Sequence, residues 1–141
     1  MKYNVTDVFD VVTNNRETGW RSDLEKTEII SEKEFREVFK NGNVTEFYVT
    51  KLESNTFYQF EMKNKFFEGT WDGCFKKIAE EETEIIFSEE IEIFNLGIYL
   101  LSFFILNLKK IQKQYVSDLV SYLGKTKGDW GIWKSIIIKR L

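Results

Sequence analysis

The chain contains no histidine and no proline, and its only cysteine is Cys74. Histidine is the side chain that most often serves as a general base near neutral pH and that most often ligates metals as a neutral group. Nucleophiles activated by histidine are therefore excluded, and any catalysis would rest on carboxylates, tyrosines, lysines or water. Neither a metal nor a cofactor is expected, because zinc-type Cys/His spacing, a glycine-rich phosphate loop and a dinucleotide fingerprint are all missing. A lone cysteine closes no internal disulfide, and MKYNVTDVFD turns polar too early for a secretion signal, so a reducing, cytoplasmic setting is expected. Excess basic charge is missing too. With a net charge of -3 over 141 residues and both signs interspersed, the chain offers no electrostatic footprint for nucleic acid.

Nor is any apolar run long enough to span a bilayer. Ile93 to Leu108 carries no charge, but as a helix it would extend roughly 24 Å at about 1.5 Å per residue, short of the ~30 Å hydrocarbon core. Asn95, Gly97, Ser102 and Asn107 interrupt it further. Its continuation has helical spacing, with Leu108, Ile111, Tyr115, Leu119 and Tyr122 on one face and Lys110, Lys113, Ser117 and Ser121 on the other. Traced backwards, the same wheel puts Leu101 and Phe104 on the buried stripe and Tyr99, Phe103 and Leu106 on the outer side. Some further surface is expected to cover those three: the C-terminal tail, a second copy in a homodimer, a ligand or a membrane surface.

What the chain does have is bulk, with 16% aromatic residues, among them 13 Phe, 6 Tyr and 4 Trp. Asn4 is placed to cap a first helix in which Val5, Val8, Phe9 and Val12 recur on one face and Asp7 sits near the positive end of the dipole. From Leu24 the period changes to two, predicting strands over Leu24–Ser31, Glu34–Lys40, Asn43–Leu52, Thr56–Lys63, Phe67–Ala79 and Thr83–Ile93. Their short connections imply an antiparallel meander with one face buried. Parity puts Phe47 and Val49, Tyr58, Phe60 and Met62, Phe67, Trp71 and Phe75, and Ile85, Phe87, Ile91 and Ile93 on that face. Gly69 and Gly73 alternate with the aromatics of their strand and predict bends or close approaches. A sheet curved around a long helix need not pack solid, and an apolar cavity between the two is expected.

The order of helix, short helix, meander and long C-terminal helix resembles the START-like superfamily, also called SRPBCC, which includes birch-pollen-allergen-like and polyketide cyclase-like proteins. The resemblance rests on VTDVFDVVTN ahead of GWRSDL, on FEGTWDGCFKKI and ETEIIFSEEIEI, and on a helix containing KKIQKQYVSDLVSYL, about Asn4 to Leu123 in all. It implies an α+β helix-grip fold, a curved antiparallel sheet of six to seven strands around the long helix, with two short helices after the first strand position. It also implies that a lipid-like or aromatic molecule is held in the cavity. Residues 1–123 would form that domain and 124–141 a linker and C-terminal extension. Two departures stand out. Only MKY precedes Asn4 where the family has a first strand, and DWGIWKSIIIKRL follows GKTKG. Three explanations remain open at this point: a start that lies upstream, a tail strand SIIIKRL on the exposed sheet edge, or an amphipathic tail helix using Trp130, Trp133, Ile137 and Leu141.

For the pocket, candidate ligand contacts are Trp20, Arg21, Phe47, Tyr58, Phe60, Met62, Trp71, Phe75, Phe87, Glu89, Leu101 and Phe104. Glu89 shares parity with apolar neighbours and is, with Tyr58, the candidate for proton transfer; pairing with Arg21 or Arg36 would instead make it structural. Arg21 is suited to grip an acidic head group with two hydrogen bonds, or to pair locally. Cys74 falls on the opposite parity. Three functions compete: binding of a hydrophobic small molecule, a cyclase- or aromatase-like enzyme, and a module that uses Tyr99, Phe103, Leu106 and the Trp-rich tail to dock on a partner or a membrane surface.

Overall fold

A computed structural model describes residues 2–94, 98–127 and 136–140, with side chains for 2–94 and 108–125. The first helix, α1 (Val5–Thr13), begins where expected. The Asn4 side chain accepts a hydrogen bond from the Asp7 backbone N–H at 2.9 Å, and its amide donates to the Asp7 carboxylate at 2.8 Å. Val8, Phe9 and Val12 form its buried face. Asn4→Ala removes both bonds and is expected to lower stability by about 1 kcal/mol, measurable by urea denaturation; a change within error would show that packing alone sets the start of this helix.

The second short helix implied by the resemblance is not formed. Between Asn14 and Asp23 the chain runs through turns in which Arg16 N–H donates to the Asn14 side chain at 3.1 Å and Arg21 N–H donates to the Thr18 carbonyl at 3.0 Å. Asparagine side chains offer the backbone such local partners, and Gly19 adds no helix propensity to oppose them.

Six strands then follow as a meander: β1 (Leu24–Ile29), β2 (Glu34–Phe39), β3 (Val44–Glu53), β4 (Phe57–Lys63), β5 (Phe67–Ala79) and β6 (Glu82–Ile93), each antiparallel to the next. The period-two reading placed all six, with ends displaced by a residue or two. The long helix, α2 (Ile98–Lys127), comes next. It passes Leu123 before it ends. The tail returns as β7 (Ile136–Arg140), parallel to β6, with Ile85 opposite Ile136 and Glu89 opposite Arg140. Of the three explanations for the tail, the strand on the sheet edge is the one formed, and the sheet order is β1 to β7 in sequence. The tail helix is not formed over 136–140. The expectations for Tyr99, Leu101, Phe103, Phe104, Leu106, Trp130 and Trp133 fall on side chains outside the described residues. Among those described, no helix is long and apolar enough to cross a membrane.

The core lies between the concave face of the sheet, α1 and α2. Phe47, Tyr58, Met62, Phe67, Trp71, Phe75, Ile85 and Phe87 are buried, while Val49, Phe60, Ile91 and Ile93 pack against them partly buried. Alternation thus assigned the inward face correctly. Among the described side chains of α2, Val116, Leu119 and Leu123 are buried in this core. Ile111, on the same stripe as Leu119, borders open space between the sheet and α2 and is 40% exposed; next to it the Gln112 amide donates to Glu89 at 2.7 Å. Gly73 answers the question of the strand glycines. A Cβ there would lie 2.8 Å from the indole Cη2 of Trp71, so the missing side chain lets that ring fold back along its own strand. At Gly69 a Cβ would run into the Glu90 carbonyl. Gly73→Val is expected to displace the indole and cost about 1–3 kcal/mol through overpacking, read by urea denaturation and a changed near-ultraviolet circular dichroism. An unaltered aromatic spectrum would show that Trp71 does not depend on this gap.

Candidate functional site

Between sheet and helix lies a cavity of about 590 Å³. The sheet contributes Phe35 and Glu37 from β2, Phe47 from β3, Tyr58, Phe60 and Met62 from β4, Trp71 from β5, and Phe87 and Glu89 from β6. From α2 come Leu108, Ile111, Gln112 and Tyr115, and from the turns after α1 come Asn15 and Arg21. Much of the wall is aromatic. Phe35 stacks on Phe47 with centroids 4.7 Å apart and planes 3° from parallel, and Phe60 stacks on Trp71 at 4.8 Å and 7°. Phe60 meets Phe47 edge-on at 5.1 Å and joins the two stacks. Rings locked in this way keep a hollow open, because none can turn inward without giving up its neighbour.

The wall also carries polar groups, and one cluster of them is centred on Arg21. The loop that carries it is pinned to α2: the backbone N–H and the hydroxyl of Ser22 both donate to the Asp118 carboxylate at 2.8 Å. Arg21 donates to Asp23 from Nε at 3.1 Å and from its second terminal nitrogen at 3.0 Å, a two-pronged pairing, and to Glu37 Oε2 at 3.1 Å. Its guanidinium lies 4.8 Å from the centre of the Tyr115 ring. The Arg21 side chain is 9% exposed and that of Glu37 is 8% exposed. Burial opposes the charge on Arg21, but Glu37 and Asp23 outweigh it and hold the guanidinium more firmly protonated than usual. Glu37 comes out differently. Burial pushes its carboxyl above the ordinary range, and the single bond from Arg21 offsets this only in part. The two directions agree physically, since one cation serves two acids and Asp23 holds the larger share of its hydrogen bonds.

Two hydroxyls complete this end. Tyr58 accepts from the Asn15 amide at 3.1 Å, and burial, with the negative field of Glu37 adding to it, pushes its phenol up to about 12. Tyr115 is raised as well by burial, against the pull of Arg21. Both phenols therefore stay protonated near neutral pH and serve as neutral donors, not as bases.

Of the twelve residues expected to meet a ligand, Arg21, Phe47, Tyr58, Phe60, Met62, Trp71, Phe87 and Glu89 line the cavity. Trp20 does not. It lies behind the wall, edge-on to Tyr115 at 5.3 Å and stacked with Tyr122 at 6.1 Å. Phe75 packs edge-on against Phe9 at 5.1 Å, in the core near α1. Leu101 and Phe104 fall outside the described side chains. Arg21 does not offer its two-pronged grip to the cavity, because Asp23 already occupies it. Glu89 takes its 2.7 Å bond from Gln112, whereas the arginines proposed to pair with it bond elsewhere, Arg21 as above and Arg36 with Glu28 and Glu46. Cys74 is exposed, on the opposite face to the wall. Among the described residues no group of acidic or cysteine side chains converges as a metal site.

Sequence reasoning missed Glu37 and Tyr115 as lining residues. Glu37 sits between Phe35 and Phe39 in strict alternation, the same signal that singled out Glu89. Tyr115 falls on the buried stripe of the helix, and only the fold reveals that this stripe faces a hollow.

No protein-family model matches the chain, and no curated protein matches it. Among solved structures it is similar to a START superfamily protein from Mycobacterium smegmatis, with a TM-score of 0.60 and 11% identity, covering 89% of this chain and 90% of that one. At such low identity the likeness speaks for the fold, and the chain has the START-like helix-grip fold.

Proposed function

We propose that the protein binds a hydrophobic small molecule, lipid-like or aromatic, in the cavity between the sheet and α2. The observation that carries this reading is the hollow itself: about 590 Å³ lined in large part by stacked aromatic rings, a volume typical of small-molecule sites. A ligand that buries about 300 Å² of apolar surface there gains roughly 7 kcal/mol at about 25 cal/mol per Å², before the cost of immobilisation is subtracted. That is sufficient for retention without any chemistry. Binding is favoured over an enzymatic role because Arg21 is held by Asp23 and Glu37 and both tyrosines are held protonated. Native mass spectrometry of protein purified without detergent, followed by solvent extraction, tests the reading. The expected result is a surplus mass that is lost on unfolding and recovered as an apolar compound. An empty protein that also fails to take up prodan, a neutral naphthalene dye whose emission reports polarity, would overturn it.

A further inference from the structure

The polar end of the cavity has more acid than base, and its hydrogen-bonding capacity is not used up. Arg21 is shared between Asp23 and Glu37, so one positive charge faces two carboxyl groups. The other charged lining residues, Glu89 and Lys110, add one of each sign and do not change the balance. Glu37 uses Oε2 for Arg21; among the described residues nothing bonds its Oε1, although the side chain is more than nine-tenths buried and lines the cavity. Tyr58 receives the Asn15 bond on its oxygen, which leaves its own hydroxyl hydrogen to be given. The wall therefore presents an acceptor and a donor, both lining the cavity and close enough for the Glu37 charge to act on the Tyr58 phenol.

Resting on the binding reading above, we propose that the cavity admits an uncharged, flat apolar molecule bearing a hydroxyl group and rejects the same molecule bearing a carboxylate. A ligand hydroxyl satisfies both vacancies: it donates to Glu37 Oε1 and accepts from the Tyr58 hydroxyl. An ether accepts from Tyr58 but has nothing to give Glu37, which leaves a buried acceptor unpaired. A carboxylate has the same deficiency and brings a third acid to a single guanidinium, in surroundings where water does little to screen it. Fatty acids and acidic ring compounds are thus excluded by the pairing that occupies Arg21, whereas alcohols and phenols are admitted.

Three probes of one shape separate these cases: β-naphthol, β-methoxynaphthalene and β-naphthoate, titrated calorimetrically into the full chain near neutral pH. Naphthol is expected to bind on the order of tenfold more tightly than the ether, and naphthoate more weakly than either. In Glu37→Gln the gap between naphthol and naphthoate should narrow by about tenfold or more, because an acid is removed and an amide donor takes its place. Naphthoate binding as tightly as naphthol would overturn the charge rule while the hydrophobic-binding reading stood. Equal affinity for naphthol and the ether would overturn the hydroxyl contact. Failure of all three to bind would overturn both readings. The ranking in the unaltered protein decides the matter even if the Glu37 variant does not fold.

Discussion

Replacing Arg21 with methionine is expected to cost roughly 3–5 kcal/mol of folding stability, the range for removing one partner from a buried ionic cluster. Methionine fills much of the same volume, so the loss is electrostatic and not a packing defect. Glu37 would keep its burial, its side chain 8% exposed, and lose its bond to Arg21; Asp23 would lose both of its bonds to Nε and the terminal nitrogen. The pH dependence carries a sign. In the native protein the Glu37 carboxyl already lies above its unfolded value, so the folded state binds that proton more tightly. Stability from this group is therefore complete below the ordinary carboxylate range and declines as pH rises through the raised value. Without Arg21 the value rises further, so the deficit of Arg21→Met should be smallest in acid and widen toward neutral pH. Urea denaturation across that interval measures it. A companion variant in which Asp23 and Glu37 also become Asn and Gln should recover a large part of the loss, since no uncompensated acid then remains. A deficit below about 1 kcal/mol at neutral pH, or one independent of pH, would show that the cluster is hydrated and that Arg21 does not hold it together.

How much of this could be seen in the sequence follows from the range over which each signal acts. The cap at Asn4, the face of α1 and the inward parity of β3 to β6 depend on neighbours a few residues away, and these were readable. The turn chemistry after α1 is equally local, but there side-chain bonding by Asn14 overrode the helix expected by resemblance. What could not be read was which of several inward polar groups would meet. Arg21 had three acids within reach of a sequence argument: Asp23 beside it, and Glu37 and Glu89 on inward-facing strand positions. The choice depended on Ser22 being fastened to Asp118 across the fold, and no periodicity encodes that bond. Ile111 keeps to its stripe with Leu108 and Tyr115 but borders the hollow, which helical periodicity alone does not reveal. Parity also cannot tell a wall from a core. Phe60 and Phe75 share that inward face and similar neighbours, yet one borders a hollow and the other packs against Phe9.

That last distinction sets up the second large effect, a pair of truncations expected to part company. Leu119 is fully buried, with no exposed surface, in the packed region where α2 meets the core. Leu119→Ala is expected to cost about 2–5 kcal/mol through lost burial and the void left behind, with the affinity for prodan nearly unchanged, because Leu119 does not line the cavity. Phe60 is half-buried, stacks on Trp71 and meets Phe47 edge-on, and so joins the two aromatic stacks. Its inner side borders space that is already open, so truncation forfeits fewer contacts than a ring of that size would lose in a solid core. Phe60→Ala should therefore cost less stability than the about 3–5 kcal/mol usual for Phe→Ala. It should nevertheless weaken prodan binding by roughly tenfold, since Trp71 loses its stacking partner, the two stacks are no longer joined and the bound dye loses a flat partner. Urea denaturation and fluorescence titration of the two variants make the comparison. If both lose stability in proportion to the atoms removed and neither changes affinity, the hollow is filled by side-chain motion in solution and the rings around it are ordinary core. If stability and affinity separate as stated, the aromatic wall is built to hold a space open, at a measurable expense of packing that only a guest molecule can restore.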